Sequence, residues 1–392
     1  MTPSARVQAA IEILDTVIAS ARDDGPPADS IVQRYFKTRR YAGSKDRRAV
    51  RELVFRAIRR AGERPQSGRA AMLGLAHDDP VLGAMFDGAP HGPEPISEDE
   101  AIAQAASIPA WVKDRLSAHA GEGEWPALLE RAPLDLRVNV ARAAREEMLR
   151  RFEGAEPTRL SPWGLRLPAD SRVDDRDEFK DGLVEVQDEG SQLIALACRP
   201  GDGLIALDLC AGAGGKALAL AAAAPGMKII ASDTHRARLS QLPDRAARAG
   251  AVIETRLLNG GQEAAQMADL EGACDIVLVD APCSGSGTWR RNPEGRWRLT
   301  SDRLDRLVSV QQRLLDLGAP LVKPGGVLVY ATCSIIEAEG AGQAQGFLGR
   351  HSSWVAQDVP FDGGRSDGPG RLLTPAHDRT DGFFIARFAR PC

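Results

Sequence analysis

The second half of this 392-residue chain alternates short apolar runs with helical stretches, and this alternation limits the possible folds more than any other feature. The predicted strands and helices are, in order, 204–209, 216–224, 228–232, 237–249, 275–279, 301–317 and 327–331. Strands that alternate with helices are typical of a parallel sheet covered by helices. We therefore predict a doubly wound α/β domain over 185–392, with a late strand at 382–388 that pairs with 354–359.

The residues before this domain divide into three predicted parts. Apolar residues recur at helical spacing up to about residue 60, which predicts a helical domain over 1–85. Residues 86–130 begin as a Gly- and Pro-rich linker and continue as a helix at 108–125. Residues 131–184 form a predicted small α/β module, with short strands around a helix at 145–152.

Composition excludes several classes of protein. The chain has 50 Lys and Arg against 54 Asp and Glu, so its net charge of −4 does not mark a nucleic-acid binder, although the first sixty residues are basic. Those arginines suit phosphate contacts, and a solvated helix face explains them equally well. No segment has the roughly 18 continuous apolar residues of a membrane span. Six cysteines without zinc-ligand spacing predict free thiols and no metal site, and we expect a cytoplasmic monomer.

Two cysteines follow the ends of predicted strands in the α/β domain. Cys283 comes shortly after the strand at 275–279, and Cys333 comes shortly after the strand at 327–331. Ligands and catalytic groups collect at the carboxyl ends of strands in open α/β sheets. A single cysteine is more often a buried packing residue, as we expect for Cys198 and Cys274. The pair at one sheet edge instead points to covalent chemistry through sulfur.

A glycine-rich loop at 208–216 follows the first strand of this domain and leads into a helix, which suits a ligand with an anionic group. The loop fails as a nucleotide P-loop because Ala217 stands where Ser or Thr is needed and Cys210 stands where the first glycine is needed. It fits a dinucleotide fingerprint only in part. Asp233 ends the next strand, where an acid accepts hydrogen bonds from the ribose of NAD or S-adenosylmethionine.

The two thiols favour a methyltransferase that acts on a pyrimidine over a dehydrogenase. Addition of a thiolate to C6 of cytosine makes C5 nucleophilic, so that C5 can attack a sulfonium methyl group. An acid hydrogen-bonded at N3 stabilises the charge that develops, and Asp280, before Cys283, is placed to do this. A second thiol can assist release. Residue types alone leave open which cysteine attacks.

Arginines and tryptophans are interleaved directly after the Cys283 loop. This pattern suits phosphate contact and base stacking, so we predict that Arg290, Arg291 and Arg298 contact RNA, and that Trp297 packs in a core. A base inside a helix cannot reach a buried thiol, so the target base must be unpaired or flipped out.

Taken together, these motifs resemble the Sun/RsmB family of RNA 5-methylcytosine methyltransferases. The segments that carry the resemblance are 186–192, the glycine-rich loop, 280–287, 332–334 and 381–384. The resemblance implies a Rossmann-like class I methyltransferase sheet, an N-terminal all-α NusB-like RNA-binding domain as in the bacterial 16S rRNA branch, and a small RNA-facing module between them. It implies S-adenosylmethionine as cofactor and small-subunit rRNA as partner.

The resemblance also implies roles for single residues. Cys333 would be the nucleophile and Cys283 the release cysteine, whereas the Pro-Cys cysteine attacks in DNA cytosine methyltransferases, which keeps the reverse assignment open. Arg137 and Asn139 would face RNA. The implied cofactor-binding residues are Cys210, Ala211, Gly212, Ala213, Gly214, Gly215, Lys216, Asp233, Asn259, Asp280 and Pro282.

The glycine-rich loop departs from the family pattern Cys-Ala-Ala-Pro-Gly-Gly-Lys-Thr at Gly212, Ala213 and Ala217. Because the loop lacks the proline and the threonine hydroxyl, we expect it to be more flexible and to bind the cofactor with lower affinity. Asn259 stands near the place where the family usually carries an acid beside the adenine. The alternatives are the same chemistry on tRNA or another rRNA site, and a non-catalytic ribosome-assembly factor on this scaffold, which only the altered loop supports.

Overall fold

The computed structural model describes residues 1–392, which form two compact units. The first unit comprises Met1–Arg115, Trp125–Glu130 and Thr288–Ser301. The second comprises Leu116–Glu124, Arg131–Gly287 and Asp302–Cys392. The segment directly after the Cys283 loop thus belongs to the first unit. The domain boundaries predicted from the sequence had placed this segment in the α/β domain. None of the helices combines the length and the apolar composition needed to cross a bilayer.

The two units contain sixteen α-helices and thirteen strands. The helices are α1 Pro3–Arg22, α2 Ala28–Lys37, α3 Ser44–Arg60, α4 Gly68–Asp78, α5 Pro80–Gly83, α6 Arg145–Arg151, α7 Asp177–Lys180, α8 Glu189–Ala197, α9 Gly215–Ala223, α10 Arg236–Leu239, α11 Leu242–Ala249, α12 Glu263–Gln266, α13 Gly295–Arg298, α14 Ser301–Gly318, α15 Ala341–Arg350 and α16 Pro375–Asp378. The strands are β1 Leu134–Val138, β2 Glu156–Pro157, β3 Gly164–Leu167, β4 Val184–Val186, β5 Ile205–Asp208, β6 Lys228–Asp233, β7 Glu254–Leu257, β8 Cys274–Asp280, β9 Val322–Thr332, β10 Val355–Gln357, β11 Arg365–Asp367, β12 Gly370–Leu373 and β13 Phe383–Ala389.

The first unit is helical, as predicted, and its core is formed by the apolar faces of α1 to α4. Helices α1 and α4 approach closely at Gly68, where a Cβ atom would lie 2.2 Å from the carbonyl oxygen of Ile11. The helix predicted at 108–125 is wrong. The chain there forms short 3-10 helices, including Ala110–Arg115 and Glu122–Glu124, and Gly121 and Gly123 disfavour a continuous helix.

Segment 288–301 is anchored in the first unit by the buried guanidinium of Arg296, which is 1% exposed. Its nitrogens donate to carbonyl oxygens at the end of α3, Ile58 at 2.6 Å and Arg59 at 3.2 Å. They also donate to Ala106 at 3.2 Å and to Ser107 at 2.7 Å. Burial, followed by the charge of Arg59, lowers the pKa of Arg296 to about 10. The C-terminal end of α3 is thus capped by the Arg296 guanidinium, which comes from a segment distant in sequence.

We expect Arg296→Ala to destabilise the first unit by about 3 kcal/mol, because carbonyl oxygens buried beneath the guanidinium would lose their donors. Urea unfolding followed by circular dichroism measures the change. Arg34→Ala, which removes an exposed arginine of α2, is the matched control and should change the free energy of unfolding little. An Arg296 variant as stable as this control would contradict the anchoring role.

The second unit contains two sheets. The smaller has the order β2-β3-β1-β4, with antiparallel pairs, and encloses a small core with α6. The larger has nine strands in the order β11-β12-β13-β9-β8-β5-β6-β7, with β10 paired to β13. Strands β5 to β9 pair in parallel and β13 runs antiparallel to β9. This arrangement confirms the predicted Rossmann-like sheet and the pairing of 354–359 with 382–388.

Two local differences from the prediction have identifiable causes. The helix predicted at 237–249 is divided into α10 and α11, because Pro243 has no N–H to donate to the preceding turn. The turn predicted at 323–326 is a bulge within β9, since Val322 pairs with Cys274 while Val327 pairs with Ile276.

Strand β5 lies between β6 and β8, so the chain adds β6 and β7 on one side of β5 and then β8 and β9 on the other. Such a switch point leaves a crevice beyond the carboxyl ends of the strands. Asp208, Asp233 and Asp280 end three neighbouring strands at this edge, and Thr332 ends the fourth. The sheet therefore gathers several acids and the two cysteine loops in one place.

Candidate active site

The sulfur atoms of Cys283 and Cys333 lie 3.3 Å apart. The two loops leave the sheet side by side because β8 and β9 are parallel neighbours, with Asp280 opposite Ala331. The N–H of Gly287 donates to the carbonyl oxygen of Cys333 at 3.0 Å, which ties one loop to the other. Both cysteines are free and only partly buried, so a ligand can reach the pair.

The two thiols differ in their surroundings. The hydrogen bond to Cys333, followed by burial, raises the pKa of Cys283 well above its ordinary value, and the negative charge of Glu339 adds to the increase. Cys283 is therefore held as a neutral thiol near pH 7. A thiol in this state is a poor nucleophile, but it can donate a hydrogen bond or a proton to the neighbouring sulfur.

Lys216 and Asp280 form an ion pair beside the cysteines, with Nζ 2.5 Å from Oδ2. Burial lowers the pKa of Lys216, but the charge and hydrogen bond of Asp280 and the charge of Asp208 outweigh it and raise the pKa overall. A negative charge on Cys333 also raises this pKa, so the field of the ammonium reaches that sulfur. The lysine is therefore positively charged, and its charge acts on the Cys333 sulfur.

Asp208, at the end of β5, is a buried acid that the prediction from the sequence omitted. Its side chain is 1% exposed and neither carboxylate oxygen has a hydrogen-bond partner. Burial, followed by the charge of Asp280, raises the pKa of Asp208 to about 7. The signal that identified Asp233 and Asp280, an acid at the end of a parallel strand, also applies to this residue.

We expect Asp208→Asn to stabilise the protein more at high pH than at low pH. The pKa of about 7 exceeds the ordinary 3.8, so the folded state holds a proton that the unfolded chain releases. The stabilisation from this proton is complete below about pH 4 and is lost as the pH rises to about 7. The advantage of the variant should grow by about 2 to 3 kcal/mol between pH 5 and pH 8.5.

Urea unfolding at several pH values tests this expectation. Asp362→Asn, at an exposed acid, serves as the control and should show no comparable trend. An advantage of Asp208→Asn that is the same at every pH would contradict the assigned pKa.

The glycine-rich loop has the backbone shape of a ligand cradle. Gly212 and Gly214 have φ values of +56° and +83°, in the region that favours glycine. The N–H of Gly212 donates to Asp233 at 2.7 Å, and Arg245 donates to the carbonyl oxygen of Ala213 at 2.6 Å. These two hydrogen bonds hold the loop at the place where the family's proline is missing.

The other predicted cofactor residues lie around the same edge. Cys210 and Ala211 are half-buried in the loop, and burial, followed by the charge of Asp208, raises the pKa of Cys210 well above its ordinary value. Pro282 and Asn259 are exposed, and Asn259 follows β7 closely. The unpaired Asp208 carboxylate, the start of α9 and Asp233 suit an ammonium, a carboxylate and ribose hydroxyls respectively.

The structure corrects the prediction that Arg137 and Asn139 contact RNA. Their side chains are only 2% and 4% exposed. Arg137 donates to the Gln187 side chain at 2.6 Å, and Asn139 donates to the carbonyl oxygens of Gly182 and Ala249 at 3.0 and 2.8 Å. Both residues form hydrogen bonds inside the second unit. The prediction was wrong because a short sequence motif does not show whether a polar side chain is buried.

The arginines after the Cys283 loop are also more enclosed than expected. Arg290 is 6% exposed, which argues against a direct RNA contact. Arg298 donates to the carbonyl oxygens of Gly25 at 2.9 Å and Pro26 at 2.8 Å, so its guanidinium is engaged within the first unit. Arg291 is half-buried and remains a predicted RNA contact. Trp297 lies in the core of the first unit, as predicted, and its indole N–H donates to Ala61 at 2.9 Å.

A polar cluster beneath the two cysteine loops was also missed from the sequence. Its centre is Glu339, whose side chain is 0% exposed. Ser284 and Ser334, the residues that follow the two cysteines, both donate hydroxyl hydrogen bonds to its carboxylate. The one sequence feature that pointed to this cluster was the Cys-Ser pair that occurs in both loops. Nothing in the sequence connects these serines to Glu339.

Comparison with known proteins places the chain among rRNA methyltransferases. The profile of the family described as "16S rRNA methyltransferase RsmB/F" matches residues 193–389. The "Ribosomal RNA small subunit methyltransferase B" of Enterobacter sp. (strain 638) is 34% identical over 290 residues, which cover 72% of this chain and 66% of that protein. The matched region thus spans about two thirds of the length of such curated relatives.

Two crystal structures share the fold. That of PH0851 has a TM-score of 0.74 at 23% identity and covers 99% of both chains. That of NSun6 from Pyrococcus horikoshii with SFG has a TM-score of 0.62 at 18% identity, covering 71% of this chain and 96% of the other. Because the family profile matches half of its length and the curated relatives are about one third identical to it, this chain belongs to the RsmB/F family of 16S rRNA methyltransferases, the Sun/RsmB family.

Proposed function

We propose that this protein transfers a methyl group from S-adenosylmethionine to C5 of a cytosine in 16S rRNA through a covalent adduct between Cys333 and C6. The observation that carries the proposal is the pair of sulfur atoms 3.3 Å apart beside the Lys216–Asp280 ion pair. The names of the relatives support an rRNA substrate. The NSun6 structure with SFG, an analogue of S-adenosylmethionine, supports the cofactor.

The cofactor would be held by the glycine-rich loop, Asp233 and the carboxylate of Asp208. When bound, it supplies an electrophilic methyl group. Gly212 and Gly214 give the loop its shape, since a side chain at either position would be strained at its positive φ and would meet Arg238 or Leu242. Asp208 would gain a cationic partner for its unpaired oxygens, so cofactor binding would favour its ionised form.

Cys333 is the better candidate for the attacking sulfur. Cys283 is held as a neutral thiol, while the positive charge of Lys216 acts on Cys333. Addition of the Cys333 thiolate to C6 moves an electron pair onto N3 of the ring. Lys216 donates a hydrogen bond to Asp280, so the carboxylate can relay a proton from the ammonium to N3, which stabilises the developing charge.

We assign Cys283 a role at the end of the reaction. After C5 is methylated, its proton is lost to solvent water and the bond between C6 and the Cys333 sulfur breaks. The neutral Cys283 thiol lies within hydrogen-bonding reach of the departing sulfur and can give it a proton. This role explains why two thiols lie together at the site.

Release of tritium from C5-labelled cytosine in 16S rRNA tests the proposal, because methylation replaces that hydrogen. We expect release that depends on S-adenosylmethionine, whereas release only from tRNA or from another rRNA would move the substrate to that RNA. Calorimetry measures cofactor binding in parallel. No release from any of these RNAs, together with no cofactor binding, would support a non-catalytic assembly factor instead.

A further inference from the structure

We propose that Glu339 is a positioning residue that holds the two cysteine loops in register by binding both of them with one buried carboxylate. The inference rests on the proposed function, because it concerns the geometry of the Cys283 and Cys333 sulfur atoms. Glu339 lies outside every motif identified from the sequence.

The four hydrogen bonds to this carboxylate come from three different parts of the second unit. The Oε1 atom accepts from the Ser284 N–H at 2.8 Å and from Gln311 at 2.9 Å. The Oε2 atom accepts from the hydroxyl groups of Ser284 at 2.5 Å and Ser334 at 2.6 Å. Because Ser284 follows Cys283 and Ser334 follows Cys333, each cysteine is one residue away from the same anion.

Further contacts make the cluster rigid. Gln311 also donates to the carbonyl oxygen of Pro282 at 3.0 Å, so the Cys283 loop is held on both sides of the cysteine. The hydroxyl groups of Ser286 and Ser334 are 2.9 Å apart. Tyr330 donates to the carbonyl oxygen of Glu339 at 2.7 Å and fixes its backbone against β9. Because the hydrogen bonds of this buried network reach both loops from fixed elements, they favour one arrangement of its parts.

A carboxylate suits this position better than its amide analogue. It offers lone pairs on two oxygens and no hydrogen, and all four neighbouring groups donate to it. The Ser334 hydroxyl already accepts from the Ile336 N–H at 3.0 Å, and the Ser284 hydroxyl accepts from the Ser286 N–H at 3.3 Å. Their own hydrogens are therefore directed to Glu339, and an amide nitrogen there would oppose them.

The negative charge of Glu339 also affects the protonation of Cys283. The negative charge of Glu339 contributes to the raised pKa of Cys283, after the hydrogen bond to Cys333 and burial. One residue thus sets the distance between the sulfurs and helps to keep one of them protonated. A loop displaced by about 1 Å can lower a reaction rate by about 100-fold.

The test compares Glu339→Gln with wild type in the full chain. We expect the single-turnover methylation rate at saturating RNA and cofactor to fall by about 100-fold, with the cofactor dissociation constant changed by less than about twofold. The pH for half-maximal alkylation of Cys283 by iodoacetamide, followed by peptide mass spectrometry, should fall because the negative charge is gone. A rate within about threefold of wild type, or an unchanged alkylation profile, would overturn the inference.

Glu337→Gln is the matched control, since Glu337 lies in the same 3-10 turn but is exposed, and it should behave as wild type. Should Glu339→Gln fail to fold, Ser334→Ala removes one donor and should lower the rate by about 10-fold, and no loss would overturn the inference. If wild type and Glu337→Gln both fail to methylate cytosine, the proposed function fails. The alkylation profile of Cys283 then still decides whether Glu339 acts on that loop.

Discussion

Cys333→Ala is expected to abolish methylation, with a loss in kcat of about 10⁴-fold or more. The reason is that the proposed reaction has no path to a nucleophilic C5 without addition of a thiolate to C6, and Cys283 is held as a neutral thiol. Tritium release from C5-labelled cytosine RNA measures the loss. Cys392→Ala, at the exposed chain end, is the control and should retain full activity.

The companion variant Cys283→Ala should fail at the opposite end of the reaction. Cys333 can still attack, but the departing sulfur loses its proton donor 3.3 Å away. We therefore expect a covalent protein–RNA complex that survives denaturing gel electrophoresis and is absent when Cys333 is also replaced. Methylation that persists in Cys333→Ala, or a complex that persists in the double variant, would contradict the division of roles.

Asp280→Asn is expected to lower the single-turnover rate by about 10²- to 10³-fold at saturating cofactor and RNA. Asparagine cannot carry the proton to N3, and it leaves the Lys216 ammonium without its carboxylate partner. The comparison is Asp233→Asn, which we expect to weaken cofactor binding more than it slows the chemical step. A full rate for Asp280→Asn at saturation would remove Asp280 from the reaction.

The sheet and the cysteine pair were predictable because both follow from local pattern. Apolar runs of strand length, separated by helices, specify a parallel sheet, and parallel strands end at one edge. The sequence pattern therefore predicts that Asp233, Asp280, Cys283 and Cys333 lie close together. This prediction needs no knowledge of side-chain packing. The parallel pairing of the strands and the 3.3 Å sulfur separation match that expectation.

The features that were missed depend on packing between distant segments. Glu339 is important because three separate parts of the second unit donate to it, and no local spacing indicates this. Arg137 was expected to face RNA, but the strands around it bury its guanidinium. Arg296 follows the Cys283 loop in sequence and yet caps the end of α3 in the first unit. Charge on a short motif does not distinguish a surface contact from a buried anchor.

The position of the covalent bond in the protein–RNA adduct tests directly whether Cys333 is the nucleophile. RNA that contains 5-fluorocytosine at the target position blocks loss of the C5 substituent, so the adduct accumulates in the wild-type protein. Digestion and mass spectrometry then identify the modified peptide. We expect the nucleotide on Cys333, whereas a nucleotide on Cys283, or no adduct despite methylation of the natural RNA, would overturn the assignment of Cys333 as the nucleophile.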